Sequence, residues 1–511
     1  ICSVTPVNNL VGYTTGIYQM DIPNSAVWFA VGIVLVTTII TKAARGRRKY
    51  EQASSMGTPH PPTVYCWSMI GLLCTLYMKG FRAMILDQYK KLGSVFTISF
   101  FGKNITILVG PEVADHFYQG MESELGLNML DFTVPMTGKE VGYARDAATR
   151  CEQSRIQTDA LRPSKLRSHV SPMLQEVEEY FAKWGDQGMV DLRKELEQVL
   201  MLISGRCLLG KEVRDNMFGD FFTLFNEMID NGTNVTNAMF PFAPTITNRR
   251  RDRARAKISE MLTKIVRSRR SSDQTKDDVL QYLIDSKYGD GRPTTESEVT
   301  GMIIGLILAG KQTSSTTSTW TGARLLSHPT FLAAVLEEQK HIVKKYGDQI
   351  DYNILLEMET LHCCIKEVLR MHPPTASLFR KVHKSFLVKT KEGTQYEIPK
   401  GHTIASPMLF NNNIPSIFKD PGVYDPTRFR PGREEDKAGG KFCFTVFGGG
   451  RHSCLGEAYA YMQIKVIWSH LLRNFELELV SPFPEMDWSK IMPVPKGKVM
   501  VTYKRRSLPS T

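Results

Sequence analysis

The stretch "FTVFGGGRHSCLGEAYAYMQIKVIWSHLLRNFEL", Phe444–Leu477, sets three glycines, an arginine, a histidine and one cysteine directly before a long amphipathic run. Apolar residues at helical spacing after Gly456 predict a helix, so Cys454 stands at its mouth. Such a thiol can be a metal ligand, a nucleophile or a small buried apolar residue. Gly448, Gly449 and Gly450 remove side chains where a flat cofactor would lie, and Gly456 does so beyond the cysteine. The helix points backbone N–H groups at the sulfur, which predicts a lowered thiol pKa. A phosphate cradle fits less well, because no Gly-Lys-Ser/Thr follows and no G-x-G-x-x-G is present. A cysteine thiolate on haem iron pushes electron density towards bound dioxygen and favours O–O cleavage.

Two further segments bear on this reading. In "CCIKEVLRMHPP", Cys363–Pro374, Glu367 and Arg370 stand three apart on one helical face, close enough to pair. In "YDPTRFRPGR", Tyr424–Arg433, Arg428 could join that pair as a buried network. The Glu-x-x-Arg helix, the Pro-x-Arg-Phe segment and the cysteine loop, in this order, resemble the cytochrome P-450 haem-thiolate monooxygenases. The resemblance covers essentially the whole chain. It implies a mainly α fold with small β-sheets, haem b with Cys454 as axial thiolate to iron, and electrons from NADPH-cytochrome P-450 reductase.

The run "GMIIGLILAGKQTSSTTSTW", Gly301–Trp320, is an apolar helix interrupted by Ala309-Gly310 and then by hydroxyls. By resemblance, Ala309 and Gly310 leave room for dioxygen, while Thr313, with Gln312 and Ser314, handles its protons. The alternative is a glycine-weakened core helix whose Ser and Thr bond back to carbonyls.

"YEIPKGH", "FGGGRHSCLGE" and "HLLRNFELELVSPFPEMDW" are similar to the plant sterol 14α-demethylases that act on obtusifoliol. His452 stands where most of the family has arginine, as in that branch. The resemblance implies that His452 bonds a haem propionate, with Arg380 and with Tyr143, Arg150 or Arg155 sharing the work. Phe447, Gly448 and Gly456 would flank the cofactor. Departures accompany the likeness. The branch carries Ala-Gly-x-His-Thr-Ser, whereas this chain has "AGKQTS", with Lys311 and Gln312; glutamine can pass a proton but cannot titrate. In "LDFTVPMTGKEVGYA", Leu130, Thr137, Glu140 and Ala144 replace the branch's tyrosine, phenylalanine, second glycine and aspartate. Leu130, Phe132, Met136, Thr137, Thr375 and Ser377 are the expected substrate-pocket residues. Loss of two aromatic walls removes contact of about 1–3 kcal/mol each. With its pocket altered in this way the chain resembles a diverged, grass-type branch of the family linked to triterpenoids, which implies hydroxylation or epoxidation of a triterpenoid, with obtusifoliol 14α-demethylation as the alternative.

The chain has 511 residues, 42% hydrophobic and 23% charged, enough for a large core. Its net charge of +12 suits an anionic membrane or an acidic protein partner. No zinc-finger spacing, RRM-type signature or long Lys/Arg tract is present, so nucleic acid is not an expected partner. Nine scattered cysteines argue against a disulfide framework. "SAVWFAVGIVLVTTIIT" at 25–41 is uncharged, and "KAARGRRKY" follows, which predicts a membrane anchor with a cytosolic basic flank. The expected layout is an extension at 1–24, the anchor at 25–41, a basic, proline-rich hinge at 42–63 and a catalytic domain at 64–511. Such a protein would sit in the endoplasmic reticulum membrane, facing the cytosol, in contact with lipid. The run "NRRRDRARAK", Asn248–Lys257, reads as a solvated helix face that could also meet anionic lipid.

Overall fold

The computed structural model describes residues 58–64, 83–100, 103–128, 131–234, 237, 240–272, 276–488 and 492–506. All of these except Phe100 fall within one compact unit. The expected anchor at 25–41 lies outside the described residues; among those described, no helix is long and apolar enough to cross a membrane.

The helices used below are α1 (Val134–Thr137), α2 (Ala147–Ala160), α3 (Val170–Phe181), α4 (Leu192–Ser204), α5 (Phe218–Gly232), α6 (Ile246–Arg270), α7 (Val279–Asp285), α8 (Glu296–Leu326), α9 (Pro329–Tyr346), α10 (Glu359–Met371) and α11 (Glu457–Asn474). The longest, α8, starts at a capping box. Thr295 Oγ1 accepts from the Glu298 amide at 3.2 Å, and Glu298 Oε2 accepts from the Thr295 amide at 2.8 Å. It ends just before Pro329 opens α9. Every residue from Ser314 to Ala323 is buried, so here α8 is enclosed on all sides rather than amphipathic.

Against it packs α11, buried continuously from Met462 to Ser469. The Trp468 indole donates to Ser318 Oγ at 3.0 Å. The crossing is so close that a Cβ on Gly322 would stand 2.5 Å from the Trp468 ring. α11 thus rests on the central helix and carries the cysteine loop at its N-terminus.

Six strands form the main sheet, in the order β1 (Thr63–Val64), β2 (Val95–Phe100), β3 (Lys103–Leu108), β9 (Thr403–Ser406), β6 (Leu378–Val382) and β4 (Leu125–Leu127). The β4–β6 register sets Leu127 opposite Arg380, which brings the chain around Glu122 towards that arginine. Between Lys381 and Pro399, β7 (Phe386–Lys389) and β8 (Gln395–Ile398) form an antiparallel hairpin. A third sheet interrupts the helical middle: β5 (Gln187–Asp191) pairs with β13 (Met500–Arg505), which also pairs β10 (Phe475–Leu479).

The basic run on α6 is not uniformly solvated. Arg249, Arg250 and Arg253 are exposed, but Arg251 is 1% exposed and tied to Asn248 Oδ1 at 3.0 Å and to the Pro241 carbonyl at 2.9 Å. A helix docked on the body turns some of its charges inward, and these are kept where carbonyls satisfy them.

Candidate active site

The cysteine loop is closed by two backbone bonds, from the Gly448 amide to the Thr445 carbonyl and from the Cys454 amide to the Phe447 carbonyl, each 2.8 Å. Gly448 and Gly450 have φ of +73° and +60°, a region that disfavours side chains. The protein itself also requires the glycines. A Cβ on Gly450 would fall 2.1 Å from the Tyr118 carbonyl oxygen, and one on Gly449 2.9 Å from the Phe442 ring. One on Gly448 would lie 3.3 Å from the His452 carbonyl, and one on Gly456 4.0 Å from Cys454 Sγ. Gly449 and Gly450 therefore serve close packing against Phe442 and Tyr118, a role beyond clearing space for a ring.

Cys454 is exposed, yet burial pushes its thiol pKa up, and Glu457 adds to that. The bond from the Gly456 amide works the other way. Without the haem iron, desolvation outweighs the one amide that favours the thiolate. Tyr143 has the same double character: it is 38% exposed, while burial raises its hydroxyl pKa. Both groups are thus reachable by solvent yet closely surrounded by protein. Ala309 likewise carries exposed surface although Ile307 and Ser314, on either side, are buried.

Beside the loop is a cluster rich in donors. Arg380 is 4% exposed; its Nη1 donates to the Phe379 carbonyl at 3.0 Å, and its Nε has no hydrogen-bond partner. His452 Nε2 also has no hydrogen-bond partner and lies 3.8 Å from Glu122 Oε1. Burial, and then Arg380, hold the His452 pKa below its ordinary value. Arg150 forks Glu122, with Nε 3.2 Å from Oε1 and Nη2 2.7 Å from Oε2. Tyr143 feels both Arg380 and Arg150. Arg155 is engaged elsewhere, with Glu152, Asp159 and the Lys287 carbonyl. Glu122 carries no sequence signal; only the β4–β6 pairing shows that it belongs here.

On α8, Thr313 Oγ1 donates to the Ala309 carbonyl at 2.8 Å. Gln312 Nε2 donates to Thr316 Oγ1 at 3.3 Å, along the helix. Ser314 is buried and accepts from Gln463 of α11. Lys311 reaches Asn226 of α5, and burial lowers its pKa. Gly310 has open space where a Cβ would be.

Glu367, Arg370 and Arg428 meet with exposures of 0%, 0% and 1%. Arg370 forks Glu367 at 2.7 and 2.8 Å, and Arg428 Nε donates to Glu367 Oε1 at 3.1 Å. Remaining donors of both arginines go to the carbonyls of Pro421, Val423 and Asp420 at 3.0–3.1 Å and to the side chains of Asn413 and Glu435 at 2.6 and 2.9 Å. The network ties α10 to the segment that leads into the cysteine loop.

Of the expected pocket residues, Leu130 lies outside the described residues. Phe132 packs on the helical core, and Met136 is fully buried with its sulfur against Gly232 of α5. Thr137 lies against Gly301 and Gly305 of α8. Thr375 and Ser377 are half-buried in the link between α10 and β6. Leu378, next in line, would stand 3.9 Å from a Cβ placed on Gly448.

The donor set suits haem b. Its two propionates are carboxylate acceptors, and the buried Arg380 Nε and His452 Nε2 are donors lacking acceptors. Among the described residues no group of three His, Cys, Asp or Glu side chains could hold a bare metal ion. One thiol reachable by solvent yet closely surrounded by protein matches a metal that arrives within its own macrocycle.

The architecture and this site define a haem-thiolate protein. The chain belongs to the cytochrome P450 family, whose model matches residues 59–502. It is 49% identical over 491 residues to the sterol 14-demethylase of Arabidopsis thaliana, covering 96% of this chain and all of that protein. It is 52% identical over 449 residues to the obtusifoliol 14-alpha demethylase of Sorghum bicolor, covering 88% and 91% of the two chains. The fold is also that of a retinoic acid-bound cyanobacterial CYP120A1, with a TM-score of 0.76 at 22% identity, covering 88% of this chain and 100% of that one. Family and fold imply a haem-thiolate cofactor with iron, and the protein is a monooxygenase.

Proposed function

We propose that the protein removes the 14α-methyl group of a plant sterol of the obtusifoliol type. The observation that carries this reading is identity of 49–52% with plant sterol and obtusifoliol demethylases over 88–96% of the chain. It reverses the order of the sequence-based expectation, which put triterpenoid oxidation first. Pocket substitutions alter the wall in places, whereas identity at this level extends through the scaffold that holds it.

In this reading Cys454 would hold the haem iron through its sulfur, and haem when bound would supply dioxygen activation. Arg380 and His452 direct donors at the propionates, with Tyr143 and Arg150 beside them; Phe447, Gly448 and Gly456 shape the thiolate side. Thr313 Oγ1 donates to the Ala309 carbonyl and keeps its lone pairs for an incoming proton donor. Ala309 and Gly310 keep the facing surface of α8 low. Gln312 and Ser314 extend the hydroxyl and amide chain along and behind α8. Glu367, Arg370 and Arg428 hold the approach to the loop rigid. Phe132, Thr137, Thr375 and Ser377 belong to the walls of the substrate side, whereas Met136, fully buried against α5, lies behind that wall rather than on it.

Electrons come from NADPH-cytochrome P-450 reductase, and the catalytic domain, residues 64–511, faces the cytosol at the endoplasmic reticulum membrane. The hydrophobicity of 25–41 and the basic flank within the 42–63 hinge support that layout. So does the approach to α6, where Phe240 and Phe242 of the link from α5 and Ile246 at the start of α6 are 60%, 67% and 73% exposed, near Arg249, Arg250 and Arg253 in sequence. Apolar residues beside cations suit an anionic lipid surface.

One observation favours a second reading, oxidation of a triterpenoid without carbon loss. Lys311 and Gln312 replace the branch's proton-handling pattern, and Lys311 is turned towards α5. Difference spectra test the proposal. The reduced, carbon monoxide-treated protein should show the red-shifted band of a thiolate-ligated haem, and Cys454→Ser should lose it. Obtusifoliol should shift the resting spin state at lower concentration than a pentacyclic triterpene. A retained band in the variant refutes the ligand, and the reverse order of affinities refutes the substrate.

A further inference from the structure

The segment around α1 is held from above and below by residues that the proposed reaction does not use. From α6, Arg255 Nη2 donates to the Thr137 carbonyl at 3.0 Å and Nε to the Met136 carbonyl at 3.3 Å. Its Nη1 is braced by Ser259 Oγ. Burial lowers the Arg255 pKa, and Glu140 is the acidic group that opposes this. A Cβ on Gly138, which has φ of +110°, would fall 2.7 Å from Arg255 Nη2 and 3.0 Å from Glu140 Oε2. On the opposite side, a Cβ on Gly301 of α8 would stand 2.6 Å from the same Thr137 carbonyl, and one on Gly305 3.6 Å from Thr137 Cγ2. A Cβ on Gly232 of α5 would lie 2.5 Å from Met136 Sδ. Three helices thus meet α1 at glycines or through one guanidinium.

The seat of α1 is continuous with the site. Gly301, Gly305, Ala309 and Thr313 follow each other at four-residue intervals, so they form one row along α8. Thr137 sits on the first two, and the exposed Ala309 comes one turn, about 6 Å, further on. Lifting α1 off this row would uncover the substrate side of the site. The contacts on α8 and α5 are van der Waals contacts with glycines and have little directional hold. The two hydrogen bonds from Arg255 are the directional ones that reach α1 from α6, and they run from a charged donor to carbonyls. Gln153 of α2 separately holds the following loop, donating to the Glu140 carbonyl at 2.9 Å and accepting from the Gly142 amide at 3.0 Å.

We propose that Arg255 is a positioning residue that latches α1 onto α8, so that breaking its two bonds to Met136 and Thr137 is the step that admits or releases a bulky substrate. The inference rests on the active-site reading above. It also explains why this arginine, in a run that looks solvated, is turned inward.

The test uses the full chain in lipid nanodiscs with two haem-binding probes, imidazole, which is small, and ketoconazole, which is long and bulky. Stopped-flow difference spectra give their association and dissociation rates for wild type, Arg255→Gln and Arg255→Lys. Arg255→Gln should accelerate both ketoconazole rates about tenfold, the scale of one lost charge-assisted bond, and leave imidazole within about twofold. Arg255→Lys, which keeps the charge but not the fork, should fall between. Amide exchange over residues 136–142 should rise in the same order. Unchanged ketoconazole rates and exchange overturn the latch, as does equal acceleration of both probes, which means general loosening. If Arg255→Gln fails to fold, Arg255→Lys decides alone, with the same signs and smaller shifts. Failure of wild type to give an azole spectrum counts against the haem-thiolate reading itself and is thereby distinguished from failure of the latch.

Discussion

The Cys454 amide donates to the Phe447 carbonyl at 2.8 Å, and the loop that this bond closes is pressed against Tyr118 at Gly450. The position of the thiol is therefore set by contacts within the protein, at a spot where a Cβ would fall 2.1 Å from a backbone oxygen. Gly450→Ala should cut haem content by more than half, measured as haem per protein after purification. Gly497→Ala has a similar φ of +77° but nothing within 4 Å of its Cβ, and it should retain haem.

Glu367 is the shared acceptor for two guanidinium groups buried with it. Glu367→Gln leaves Arg370 without its counter-charge and Arg428 with Glu435 alone. It should destabilise the protein by about 3–5 kcal/mol, read from urea unfolding, and lower haem retention. Glu357→Gln removes an exposed partner of Lys345 and Tyr346 and should change the urea midpoint little.

Lys465 of α11 is 5% exposed and donates to the Leu355 carbonyl at 2.7 Å, and burial pushes its pKa down to about 8. The folded value lies below the unfolded one, so between pH 8 and the ordinary lysine range the unfolded chain binds more protons. Stability from this group must then rise with pH across that window. From pH 7.5 to 9.5, wild type should gain about 2 kcal/mol relative to Lys465→Met. Parallel stability curves for the two proteins would show that Lys465 is not desolvated as described.

Gln312 cannot change charge, so the turnover rate should show no inflection of its own in the histidine range. Gln312→His should add one near pH 6.5, with the rate falling as pH rises through it, because the protonated imidazole is the donor. Rate–pH profiles of the two proteins check this. An unchanged profile would remove residue 312 from the proton path.

The cysteine loop and the Glu367–Arg370–Arg428 segments were legible in the sequence because their residue types and spacings are themselves the signal. β5 was not, since its pairing with β13 joins residues some 300 positions apart and leaves only a five-residue gap in a helical stretch. Arg251 and Arg255 read as solvated charges because periodicity does not say how a docked helix is rotated. Glu122 was invisible for a similar reason: its place beside Arg150 and His452 follows from strand register. The desolvation of Cys454 was not legible either, because helix ends can be read from sequence, whereas desolvation depends on what packs around the sulfur.

The central claim is carbon loss from a sterol. The measurement that tests it most directly is product analysis by mass spectrometry and NMR, with the full chain, NADPH-cytochrome P-450 reductase, NADPH and obtusifoliol, in parallel with a pentacyclic triterpene. The account predicts a sterol product lacking the 14α-methyl carbon and no product from the triterpene. A triterpene that keeps every carbon and gains oxygen, with obtusifoliol untouched, would contradict it.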